Sequence, residues 1–489
     1  MGRGNKTKPQ SSTLEVPSTL PPSYSSFILS SNNILEAIMT SFEEFFSPNA
    51  LTEIYADKIK ARSSRGLDRI TPFAFDKNSN QFITLISNKA LKNTYKFTPY
   101  LERLKLKGRD SFPRVISVPT IRDKLTLTAL NKYLQTIFPE HVNRRVPNQR
   151  IRDLHNLLST IDTSSVYIAR ADISDFFGKI DRSLLLSKIQ HHVDVRALSL
   201  IEKTLQNPTV PYNYQRMEIS KYVNTQGIPQ GLPLSSILAE FYISTIDSEL
   251  RPLTLLYDRY VDDIIAISNK NDTFEKSITH ALDTLGLTLN IRKTKFKIID
   301  ATFNYLGYSF NNANVSMKNS NFNRQIKIIN NLFTEYKSDI HRAAQAGDTA
   351  KQKQILNNFI ESLNIRIAGA IHNSRRYGCP FYYSEITDIS QLYQIDAYVT
   401  KMLQKHPTIP TIRIKSAARA YYKIKSGEAD KYSHNYDHLT PPEKRAYLEK
   451  RGVIATDAAL TPFEIEHKYY RYITRRLKGL EEDLGIAYS

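Results

Sequence analysis

The segment LLYDRYVDDIIAIS, residues 255–268, limits what this chain can fold into more than any other. Two apolar runs of strand-like composition flank Tyr260-Val261-Asp262-Asp263, so the segment reads as a hairpin whose tight Asp-Asp turn projects both carboxylates from one end. Adjacent acids repel each other, and a cation at the turn relieves that cost. Two hard divalent ions held by carboxylates about 3.5–4 Å apart are the usual device for in-line phosphoryl transfer. Asp is also common in solvated turns, so the tetrapeptide has to be weighed with three further segments.

The first is ARADISDFFGKIDRSLL. Val166–Ala169 reads as a short buried strand with Asp172 at its end, a placement that aims a carboxylate into a cleft. Asp175 begins a turn, and Asp181 stands where it would cap the helical run Ser183–His191, which leaves Asp172 free for other chemistry. The second is GIPQGLPLSS, residues 227–236, where Gly227, Pro229, Gly231 and Pro233 make a bare-backbone loop before an apolar helix over Leu234–Leu250. Such a loop lets a base or sugar approach the main chain closely. The third is LNIRKTKFKI, in which Asn290 and Lys293-Thr294 lie between a helix (Thr273–Leu285) and a strand (Lys295–Ile299). A lysine there can neutralise or protonate a leaving pyrophosphate, although any one surface lysine at a strand start has a blander explanation.

The order of these segments, followed by FNYLGYSF, resembles the palm of reverse transcriptases, most of all the bacterial retroelement enzymes: group II intron proteins, retrons and abortive-infection relatives. RGLDRITPFAF (Arg65–Phe75, with Arg69 where glycine is usual) and Phe112–Leu134 resemble the N-terminal element and the fingers of the same class. The resemblance implies an α/β (α+β) right-hand polymerase fold with RNA-directed DNA polymerase activity. It implies Asp172, Asp262 and Asp263 as ligands of two Mg²⁺ ions, with the Ile173 carbonyl as a further ligand, and Lys293 as an acid for the leaving group. Phe177 would be the sugar gate that favours dNTPs. Gln230, Gly231 and Tyr260 would contact substrate, and Arg114, Arg122 and Lys124 would clamp the triphosphate.

Composition agrees with a nucleic-acid partner. Lys and Arg outnumber Asp and Glu by 67 to 48, a net charge of +19, and such an excess suits a polyphosphate. The 29 tyrosines among basic residues suit stacking on single-stranded bases. A single cysteine, Cys379, excludes an internal disulfide or a zinc knuckle and fits a reducing cytoplasm. No apolar run reaches membrane-span length and no hydrophobic signal core opens the chain, so no membrane partner is expected.

Four regions follow from the pattern: a polar, basic, disordered tail (1–25), a fingers–palm domain (26–310) opening on a helix over Ile34–Ile59, a helical thumb-like region (311–410) and a helical C-terminal extension (411–489). The extension matches no endonuclease or integrase pattern. In length and domain content the chain resembles the "unknown group" or defence-associated reverse transcriptases, which implies anti-phage defence with a structured non-coding RNA as template, a DNA product, and self-association or accessory defence proteins as further partners. The alternatives are an intron- or retron-type enzyme serving its own element, a template-independent polymerase primed on a protein hydroxyl such as Tyr488, an RNA-binding scaffold that keeps the palm without the activity, and an RNA-synthesising polymerase, against which Phe177 argues.

Overall fold

The computed structural model describes residues 42–60, 65–106, 112–142, 145–163, 166–269, 271–298, 302–406, 408–410 and 412–484. The expected tail, the start of the Ile34–Ile59 helix and Tyr488 lie outside the described residues.

Four sheets occur among the described residues. The first joins β1 (Tyr100–Lys105) to β2 (Arg114–Val118), with the short β4 (Thr209–Val210) on the other side of β1. The second has the order β5-β6-β3-β7 and contains β3 (Tyr167–Asp172), β5 (Leu256–Tyr260), β6 (Asp263–Ser268) and β7 (Lys295–Ile298). All three of its pairings are antiparallel. The third, β8 (Phe303–Tyr305), β9 (Tyr308–Asn311) and β10 (Asn314–Met317), is a meander. The fourth places β11 (Ala370–His372) between β12 (Arg375–Tyr377) and β13 (His434–Asn435).

The second sheet is buried on both faces, and this fixes its register. Paired residues of β3 and β6 share a face, so Ala169, Ala171, Ile264 and Ala266 join one core with Leu238, Tyr242 and Ile246 of the Ser235–Leu250 helix. Ile168, Ile265 and Ile267 join a second core with Ile151 and Leu154 below and Phe303, Tyr305 and Phe333 beyond. The unbroken IIAI run of β6 is therefore the signature of a central strand. Burying each isoleucine contributes about 1.5–3 kcal/mol, and a slip by one residue would exchange the two faces.

Helix ends follow their local signals. Asp181 caps the Arg182–Ile189 helix, accepting from the Leu184 amide at 2.9 Å. Thr120 caps the Ile121–Ile137 helix. After residue 310 the chain is mainly helical, but the expected divisions do not coincide with breaks in the cores. β9 and β10 straddle residue 310 as one hairpin. Ala417 and Ala418 lie in the same core as Ile168 and Ile265, so the last segment packs onto the rest instead of standing apart. The Pro462–Leu484 helix also returns to the N-terminal part, where Phe463 and His467 flank the ring of Phe73 at 6.3 and 5.6 Å. Among the described residues no helix is long and apolar enough to cross a membrane.

Candidate active site

β3 and β6 pair so that Asp172 stands directly opposite Asp263. The β5–β6 hairpin closes with Tyr260 paired to Asp263, which makes Val261 and Asp262 the two turn residues. This corrects the expected Asp-Asp turn: only Asp262 is in the turn, and Asp263 is the first residue of a strand. Val261 has φ +61, whereas Asp262 has no positive φ. A positive φ at the first central residue alone is the type II′ pattern, which glycine prefers. A β-branched residue there stores strain, on the order of 1–3 kcal/mol.

The strain is held by what surrounds the hairpin. Tyr257 and Arg259 share the face of β5 toward the Ser235–Leu250 helix. The Arg259 guanidinium donates to Asp247 at 2.7 and 2.8 Å, to Glu240 at 2.8 Å and to the carbonyl of Val261 at 3.1 Å. On the opposite face buried Asp258 accepts from Tyr305 at 2.9 Å and from Arg145 at 3.2 Å, and pairs with buried Arg150. Arg150 in turn donates to the Arg259 carbonyl at 3.0 Å and lies 5.5 Å from the Tyr260 ring.

The third segment completes the site. Lys293 Nζ donates to both carboxylate oxygens of Asp172 at 3.1 and 3.2 Å, and the Asn290 side chain donates to the same group at 3.1 Å. The Ile173 amide donates to the Asp262 carbonyl at 3.3 Å, locking the end of β3 to the turn. Arg170, two residues before Asp172 and on the same strand face, pairs with Asp263 at 3.4 Å. Burial pushes the carboxyls of Asp262 and Asp263 above the ordinary range, and the charge of Asp172 adds to both shifts; Arg170 opposes the rise at Asp263, and Arg114 and Lys293 oppose it at Asp262. Asp262 and Asp263 therefore both sense the charge of Asp172.

Asp172, Ile173, Asp262, Asn290 and Lys293 line a cleft of about 1010 Å³ together with Arg114, Phe177 and Gln230. The loop of the second segment is pinned to the first. Gly227, at φ +73, packs so tightly that an added Cβ would lie 2.6 Å from the Phe177 carbonyl oxygen. Arg182 donates to the carbonyls of Gly227 at 2.7 Å and Gln226 at 3.2 Å. The Gln230 carbonyl accepts from Ser117 of β2 at 2.7 Å, and Gly231, at φ +93, abuts Ile116, so the loop is also tied to the first sheet.

The structure thus brings Asp172, Ile173, Asp262, Phe177, Gln230, Arg114 and Lys293 to one cleft, with Asp263 paired beside Asp172. It does not bring Arg122, Lys124, Gly231 or Tyr260 there. The Arg122 guanidinium is turned onto Thr98 and buried Asp123, and so serves the base of the Ile121–Ile137 helix. Lys124 lies on that helix and is not among the cleft-lining residues. Tyr260 and Val261 line a separate cavity of about 320 Å³, with Asn131, His141, Arg145 and Glu240. Sequence reasoning missed Arg170, Arg182 and Arg259. A signal existed for Arg170, since the i, i+2 spacing puts it on the face of Asp172.

Carboxylate oxygens are hard donors, and three of them on adjacent chain segments suit a hard divalent ion. Among the described residues, however, no three acidic, His or Cys side chains already enclose a metal-sized space. Lys293 and Arg170 lie against two of the three carboxylates and supply the positive charge. The donor set fits; the acids are held by protein cations.

Residues 106–310 match the family model for reverse transcriptase (RNA-dependent DNA polymerase). The chain is 27% identical over 162 residues to the retron Ec83 reverse transcriptase of Escherichia coli, covering 32% of this chain and half of that protein. It is 27% identical over 242 residues to the group II intron-encoded protein LtrA of Lactococcus lactis, covering 47% of this chain and 38% of that protein. The apo telomerase of Candida Tropicalis, truncated from its C-terminal domain, superposes with a TM-score of 0.35 at 15% identity over 53% of this chain and 63% of the other. Residues 106–310 are thus similar to a reverse transcriptase domain within a mixed α/β fold, and the two curated relatives are of the bacterial retroelement type. The matches span half or less of the curated relatives' length, and the chain outside them has its own structure.

Proposed function

We propose that this chain is an RNA-directed DNA polymerase that uses two magnesium ions to add deoxynucleotides to a 3′ end or a protein hydroxyl. The observation that supports it most is a cleft that holds Asp172 and Asp262 with Arg114, Phe177, Gln230 and Lys293, with Asp263 paired to Asp172 beside it. Asp172, Asp262 and Asp263 would hold the ions. When bound, such ions supply activation of the attacking hydroxyl and stabilisation of the charge on the leaving pyrophosphate. The remaining roles belong to side chains in the same cleft. Arg114 offers its guanidinium to the triphosphate, and Lys293 brings a cation to the leaving group. The loop that carries Gln230, fixed at both ends, gives the incoming base a rigid neighbour.

Phe177 sets the choice of sugar. Its ring lines the cleft and is braced edge-on by buried Phe176 at 5.4 Å, so it cannot yield easily to a ribose 2′-hydroxyl. Phe177→Ala should lower the preference for dNTPs over NTPs by about 10- to 200-fold, the range that one steric group in a pocket commands. The ratio of the two kcat/KM values measures it, and an unchanged ratio would remove Phe177 from this role.

The biological role we infer is anti-phage defence in the bacterial cytoplasm, with a structured non-coding RNA as template. The resemblance to defence-associated enzymes in length and domain content supports it. Sequencing RNA and DNA that copurify with the protein, with and without phage, identifies template and product together. A product copied from the chain's own intron or retron RNA, insensitive to infection, would replace defence with service to a mobile element.

A further inference from the structure

Asp263 stands among like charges: Asp262 adjoins it in the chain and Asp172 faces it across the strand pair. Its resident partner is Arg170, whose Nη2 lies 3.4 Å and Nε 3.5 Å from the two carboxylate oxygens. Both distances exceed the 2.7–2.9 Å typical of charge-assisted bonds. Arg259, on the other side of the same hairpin, holds its carboxylates at 2.7–2.8 Å and is almost fully buried. Arg170 is 36% exposed. One arginine is locked in place; the other is loosely seated, open to solvent on one side, and set against an acid that the proposed chemistry needs.

We propose that Arg170 is an exchangeable counter-ion of Asp263, so that divalent metal binds this carboxylate by displacing the guanidinium and not by entering a vacant site. The reasoning is electrostatic. Three ionised acids around one turn destabilise the metal-free fold, and Arg170 and Lys293 offset that cost. A cation that neutralises Asp263 must compete with an incoming one for the same oxygens, and in a partly buried site the competition is weakly screened. Arg170 is thus a positioning residue that tunes metal occupancy. β3 holds its backbone in register with Ile265 and Lys295, so the side chain can leave Asp263 without disturbing the sheet.

This inference rests on the metal-binding reading of the three acids, and its test separates the two. Mn²⁺ binding to the full chain, free of nucleotide and nucleic acid, is measured at pH 8 by the electron paramagnetic resonance signal of the free ion. Arg170→Met should bind Mn²⁺ at least ten-fold more tightly than the wild type, and Arg170→Lys, which restores a cation, should return the affinity toward the wild-type value. Asp263→Asn should weaken binding in either background. Equal or weaker binding by Arg170→Met with an unchanged circular dichroism spectrum, while the wild type binds and Asp263→Asn does not, overturns the exchange alone. Absence of Mn²⁺ binding in wild type and variants overturns the metal reading and the exchange together. If Arg170→Met does not fold, Arg170→Gln is measured against the same criteria.

Discussion

Asp262→Ala is expected to reduce nucleotide incorporation by at least about 10³-fold, while the protein melts no lower than the wild type. Removing one preorganised oxyanion donor already costs about 10²–10³-fold in enzymes that rely on one, and a carboxylate that holds catalytic ions does more. The stability half of the prediction comes from the site's electrostatics. Burial, then the charge of Asp172, raises the Asp262 carboxyl above its ordinary value. A raised carboxyl favours the fold while protonated, below its unfolded pKa, and that favour is lost as pH rises through the folded pKa. At neutral pH the ionised acid therefore works against the fold, and alanine removes the burden. Incorporation of labelled dNTP on the native RNA, together with a thermal melt at pH 7.5, checks both halves. Appreciable activity in the variant would reject the catalytic assignment; lost activity with a much lower melting temperature would recast Asp262 as structural.

The second large effect concerns stability. Arg259→Ala should destabilise the chain by about 3 kcal/mol, the low end of the cost of breaking a buried ion pair by removing one partner. The low end applies because Glu240 and Asp247, left without their cation, retain partial access to water. Apparent melting should fall by roughly 3 °C. The loss is not confined to the pair, because the same guanidinium donates to the Val261 carbonyl at the strained turn. Arg259→Lys keeps the charge but cannot make the forked contacts, so it should lie between alanine and the wild type. A melting temperature unchanged in Arg259→Ala would show that the turn holds its shape without this support.

Much of this fold was legible because local pattern and global packing agree. The IIAI run, the GIPQG loop and the Asp181 cap each took the form their residues predicted. The misreadings came where a side chain had two physically acceptable destinations. Arg122 could reach a ligand or a neighbouring buried acid, and Asp123, one residue away, captured it. Tyr260 belongs to the same tetrapeptide as the two aspartates yet lines a different cavity, a divergence that period-two alternation would not give. The limits expected at residues 310 and 410 follow changes of composition, but the hydrophobic cores run across both.

What the sequence determined by itself was the inventory: three acids, a lysine, a ring and a bare loop, each on a segment whose apolar periodicity settles its own local structure. Periodicity is a short-range property, so it reaches no further than one element at a time. The tertiary structure decided the register that sets Asp172 against Asp263, the Val-Asp turn and the arginine, Arg259, that restrains it. Those depend on two cores closing simultaneously on opposite faces of one sheet, and only burial between segments distant in the chain can choose among the alignments each strand allows alone.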